Sequence, residues 1–139
     1  MSTTRVDKPS GPEAHGRWVR LPVRPVWALR LGWLLGWFFA GAGVMRLLPV
    51  PFDVAMFADW GLSMGFRTLV GTAELAVGAL ALWPRTRPVG LIGIGVVMVS
   101  AGTVHAVLGH SPIVAMVLNG SLAAAAFGTA WALRAEILR

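Results

Sequence analysis

Arg67 and Glu74 stand seven residues apart in an otherwise apolar stretch, and no other pair in this chain is better suited to chemistry. Offsets of three, four and seven residues nearly complete whole helical turns, so Arg67, Gly71, Glu74 and Gly78 share one narrow face. The two charges lie about 10.5 Å apart along the axis. Direct pairing therefore needs both side chains to bend together, or a bridge through Thr68, Thr72 or a water. A guanidinium can hold a carboxylate or a carbonyl. A carboxyl group can pair with a cation or, in its neutral form, donate a hydrogen bond or exchange a proton. Two readings stay open: an ion-paired core that holds helices together, and a ligand or proton-linked site.

Three further polar residues stand in the other apolar stretches, and at about 1.5 Å per residue most of the five lie toward one end, with Glu74 the deepest. Arg46 ends an apolar stretch, His105 closes another, and Asn119 lies within a third. His105 and His110 are five residues apart, which does not suit a same-face helical metal pair, so no metal site is expected. His105 at a helix end reads first as a satisfied interfacial residue and in the alternative as one that reaches Arg46 or Asn119, and Asn119 reads as an interhelical hydrogen-bonding residue.

The elements that position these residues follow from composition. The chain has 139 residues, 56% of them hydrophobic and 13% charged, with a mean hydropathy of +0.70, which is the composition of an integral membrane protein. Apolar runs cover residues 27–48, 62–83, 88–108 and 111–133, each near the roughly 20 residues that about 30 Å of hydrocarbon requires. Each run is expected to be helical, because an isolated strand in lipid leaves its backbone groups unpaired. A charge at the centre of such a helix costs roughly 2.5–3.5 kcal/mol, so Arg67 and Glu74 must face a partner, a cavity or a ligand. The chain contains no cysteine, which excludes thiol redox chemistry and Cys-ligated metal sites.

The fold expected is all-α: an antiparallel bundle of four membrane-spanning helices, residues 27–139, preceded by a flexible basic tail, residues 1–26. Arg17, Arg20, Arg24 and Arg30 precede or open the first span, Arg85 and Arg87 separate the second from the third, and Arg134 and Arg139 follow the fourth. The first connection carries Asp53 and Asp59 instead. The positive-inside rule then places both termini in the cytoplasm, as in a bacterial-type inner membrane protein, with Trp27, Trp83 and Trp131 at the inner boundary and Trp60 at the outer one. Gly32, Gly36, Gly71 and Gly78 allow close helix approach. The connection 49–61 reads as an ordinary interfacial loop, or as a short amphipathic lid over the outer mouth. The tail's arginines are spaced by prolines and suit phospholipid, not nucleic acid.

Residues 65–84, from Gly65-Phe66-Arg67 through Gly71, Glu74 and Gly78 to Trp83-Pro84, resemble the core signature of the DoxX-like family. That signature has an arginine, a glycine four residues on, a glutamate followed by an aliphatic residue, a second glycine and an aliphatic end before a basic turn. The resemblance spans roughly residues 27 to 133 and implies a four-helix membrane bundle. Some members are similar to the small membrane subunit of thiosulfate:quinone oxidoreductase, and others look like membrane anchors for redox or stress-response partners. Only Arg67, Gly71, Glu74 and Gly78 carry over from the signature.

The leading expectation is therefore a membrane subunit or anchor of a redox complex, without catalytic activity of its own. It would hold a quinone or lipid head group among Arg67, Glu74, His105, Asn119 and Arg46, with electrons supplied by a partner. The alternatives are a small proton-linked transporter, oligomeric and with Asp53 and Asp59 attracting cations, or a purely structural subunit of a larger complex.

Overall fold

The structure is a computed structural model that describes residues 25–109 and 112–134. The basic tail, His110 and Arg139 lie outside the described residues. Five helices follow in order: α1 Val26–Leu47, α2 Pro51–Asp59, α3 Met64–Leu82, α4 Arg87–Leu108 and α5 Pro112–Ala132. Four of them, α1, α3, α4 and α5, are long and apolar enough to cross a membrane. They carry large exposed apolar side chains, among them Leu34, Trp37, Leu69, Val99 and Val117, as a lipid-facing surface should. The short turns into and out of α4 make neighbouring spans antiparallel.

Local chemistry sets the helix ends. Pro51 opens α2 and Pro88 lies in the first turn of α4, where a missing backbone N–H costs nothing. Ser63 caps α3 by accepting the Phe66 N–H at 3.1 Å. Gly109 ends α4 in the left-handed region at φ 72°, which glycine adopts without strain. The connection read as an interfacial loop or a short amphipathic lid is helical over Pro51–Asp59, as the second reading has it.

Lipid supplies no hydrophobic drive between helices, so close contact depends on small residues. A side chain on Gly43 would strike the Leu75 backbone, and one on Gly78 the Ala40 backbone; α1 and α3 meet there nearly backbone to backbone. Gly32 and Gly36 accept the side chains of Arg87 and Leu82. Gly90 fits against the backbone of Ala81, and Gly93 against the side chain of Val77, which closes α3 on α4 at the end away from α2. Gly95 receives the ring of Phe127 from α5. Phe39, Leu91, Ile94 and Leu133 form the buried centre.

Arg85 and Arg87, expected together as a basic interfacial turn, separate in the structure. Arg85 is exposed, whereas Arg87 is buried, donates from Nε to the Ala81 carbonyl at 3.1 Å, and sits 5.3 Å from the Trp33 ring. Trp27, Trp83 and Trp131 are exposed at this end of the bundle.

The packing makes a test. Gly78→Ala forces a Cβ into the α1 backbone, so thermal unfolding in detergent, followed by circular dichroism, should show a loss of about 1–3 kcal/mol. Gly41→Ala meets open space and should change stability by less than about 0.5 kcal/mol. Equal effects at the two positions would contradict the packing described.

Candidate functional site

Gly71 lies one turn from Arg67 and one turn from Glu74, and its missing side chain decides how both are paired. The gap admits α1: a Cβ on Gly71 would stand 2.8 Å from the Cβ of Arg46. Arg46 therefore enters between the two charges of α3 and donates from Nη1 to Glu74 Oε2. Arg67 and Glu74, for which direct pairing or a bridge along α3 stayed open, take partners from other helices. Thr68 and Thr72 do not bridge them, since each hydroxyl donates back to its own helix, to Met64 O at 3.0 Å and Thr68 O at 2.8 Å.

Arg67 turns toward α2. Its Nε donates to Asp53 Oδ2 at 2.6 Å, and its Nη2 donates to the Leu48 carbonyl that follows α1. Its two free directions thus tie α3 to the cap helix and to the end of α1. Asp53, expected as an outward carboxylate of a loop, is buried with a relative exposure of 7%; Asp59 is exposed. Arg46 Nε is 3.9 Å from Asp53 Oδ1, too long for a hydrogen bond, and is itself a buried donor without one. The result is an alternating row of Arg67, Asp53, Arg46 and Glu74, two cations and two anions whose formal charges cancel.

α2 takes the second of the two readings of the 49–61 connection, a short amphipathic lid, and forms the roof. Asp53, Phe57 and Trp60 recur at offsets of four and seven residues and fall on one face. Phe57 is buried with the Arg46 guanidinium 5.9 Å above its ring centroid. Trp60 packs edge-on against His105 of α4, with ring centroids 4.7 Å apart. That spacing of one acidic and two aromatic residues after a helix-opening proline is the signal by which the sequence alone would have revealed the roof.

Beneath α2 is a cavity of about 330 Å³, at the end where α3 and α4 diverge. Its walls are apolar, with Phe66, Val70 and Ala73 from α3 and Val97 and Ala101 from α4. Arg46 and Glu74 reach it on one side, His105 and Asn119 on the other. The structure therefore brings four of the five sequence-derived site residues to one cavity. Arg67 is not among its lining and acts through Asp53. Leu69, Val96 and Leu108 line the cavity while largely exposed, so it opens sideways between α3 and α4 toward the lipid-facing surface. Among the described residues, no group of three or more His, Cys, Asp or Glu side chains is placed to hold a metal.

The sequence pattern of the DoxX-like family matches residues 31–129, from the start of α1 almost to the end of α5. The chain belongs to this family. The match takes in the four spanning helices, α2 and every residue named at the cavity. No curated protein and no solved structure matches the chain. In this DoxX-like protein, then, the signature glycine Gly71 admits Arg46, and Gly78 sets the α1–α3 contact that holds Arg46 and Glu74 in register.

The two outer-connection carboxylates can be told apart experimentally. Asp53→Asn leaves Arg67 buried without its anion and should cost about 3–5 kcal/mol in thermal unfolding, whereas Asp59→Asn should stay within about 0.5 kcal/mol. Similar effects at both would mean that Asp53 does not hold Arg67.

Proposed function

We propose that this DoxX-like membrane protein is a noncatalytic subunit of a quinone-linked redox complex and holds the head of a quinone in the cavity beneath α2. The observation that carries the reading is that cavity: about 330 Å³, apolar walls, an opening toward lipid, and polar groups gathered at one level. Its size is at the low end of ligand pockets, suited to a ring with its tail left in the bilayer. The residues fit such a group: the His105 imidazole and the Asn119 amide supply hydrogen-bond donors, and Phe57, Trp60 and Phe66 supply flat apolar surface. A bound quinone would supply two-electron carrier chemistry, with electrons arriving from a partner protein. The chain's own residues bind, orient and exclude water. The distribution of arginines supports a plasma-membrane location with both termini cytoplasmic.

One observation favours a second reading, a purely structural subunit: the four charges are paired with one another and need no ligand to balance them. A proton-linked transporter draws less support. The cavity lies at one end of the bundle, and the glycine contacts of α3 with α1 and α4 fill the other. The carboxylate that would attract cations, Asp53, is taken up by Arg67.

Mass spectrometry of the tagged protein, purified from its native membranes in mild detergent, tests the proposal. The expected result is a stoichiometric redox polypeptide together with an extracted quinone, the quinone being lost in Asn119→Ala while the partner stays. A preparation with neither partner nor small molecule would move the weight to the structural reading.

A further inference from the structure

We infer that the cavity accepts an uncharged head group bearing carbonyl or hydroxyl oxygens and rejects anionic head groups. This rests on the reading of the cavity as a ligand site and decides between the two ligand chemistries that the sequence leaves open, a quinone-like ring and a lipid head group.

The argument is one of charge and of vacancies among hydrogen-bonding groups. An anionic head needs a cation able to receive it, and two guanidinium groups lie close by. Both are engaged. Arg67 is 4% exposed and gives its Nε to Asp53 and an Nη to the Leu48 carbonyl. Arg46 gives Nη1 to Glu74, lies over the Phe57 ring, keeps its Nε buried beside Asp53, and lines the cavity next to the Glu74 carboxylate that matches its charge. The row of four charges is balanced, so an added anion would bring an uncompensated charge into a low-dielectric setting and would face the carboxylate of Glu74 as well. A cationic head would meet the same balance with the opposite sign.

Two polar groups outside the charge row remain. Asn119 and His105 line the cavity from α5 and α4, and no hydrogen bond joins either to another described residue; His105 makes its contact through the ring edge of Trp60. Gly102 stands opposite Asn119, with 3.6 Å between a Cβ built there and the Asn119 Cβ, so the amide is held close against α4. An amide with unused donors in an apolar wall favours an oxygen acceptor that carries no net charge. The selectivity thus comes from the ion pairs, which balance the charges of both arginines internally and leave Asn119 and His105 to a ligand.

The test uses the full chain in phosphatidylcholine nanodiscs and two probes of equal tail length, decyl benzoquinone and decyl phosphate, with binding read by native mass spectrometry. The wild-type protein should bind the quinone and not the phosphate, and Asn119→Ala should weaken the quinone about three- to tenfold. Glu74→Gln removes one anion from the row and should admit the phosphate, with at least a tenfold gain over wild type. If Glu74→Gln fails to fold, the wild-type pair of probes and Asn119→Ala still decide. Phosphate binding to wild type as tight as quinone binding, and weakened by Asn119→Ala, would overturn the charge selectivity while leaving the cavity a ligand site. Binding of neither probe would overturn both.

Discussion

Two arginines and two carboxylates sit in surroundings built from apolar side chains, and the arrangement of this end of the bundle follows from the need to match them. Each charge taken from water alone costs several kcal/mol, so none is tolerated without a partner in good geometry. The partners come from three different elements: Arg46 from α1, Asp53 from α2, and Arg67 and Glu74 from α3. Satisfying the charges therefore fixes the relative position of those elements. Ion pairs of this kind add less to net stability than their Coulomb energy suggests, and specify one arrangement among several apolar packings of similar energy.

The glycines make the matching feasible. Gly43 and Gly78 let α1 and α3 approach until backbones touch, and Gly71 leaves the space through which Arg46 reaches Glu74. The same close packing continues at Gly90 and Gly93, where α3 and α4 converge. Convergence at one end and divergence at the other leave the cavity, and α2 covers it with Phe57 and Trp60. Charge pairing, helix crossing and cavity are thus consequences of the same few small residues. The proposed ligand role follows a similar logic, since charges matched by pairing are withdrawn from a ligand and the groups left over are offered to it.

Much of this was legible in the sequence, and the boundary of legibility is physical. The expected spans at residues 27–48, 62–83 and 88–108 fall within two residues of α1, α3 and α4, because bilayer thickness sets helix length. That most of the polar groups lie toward one end of the bundle was also readable, since depth along a helix follows from a fixed rise per residue, although Glu74 read as far deeper than Arg46 and His105. Pairing was not. Hydropathy records depth but not rotation about the axis, so Arg67 and Glu74, close in sequence, read as each other's neighbours. Asp53 read as a carboxylate of the outer connection because its offsets from Phe57 and Trp60 mark one helical face without saying which way that face turns. Arg87 read as an interfacial charge for the same reason: nothing in its spacing reveals that it turns inward onto Ala81 and Trp33.

The most direct measurement of the central claim is charge exchange across the α1–α3 contact, with folding read by monodispersity and thermal unfolding in detergent. Arg46→Glu alone sets two carboxylates against each other, and Glu74→Arg alone sets two guanidinium groups together; both should fail to give folded protein. The double exchange restores an opposite pair at the Gly71 gap and should recover folded, monodisperse protein, less stable than wild type because the carboxylate of Arg46→Glu then stands beside Asp53. Single variants as stable as wild type, or a double variant no better than the worse single, would contradict the account.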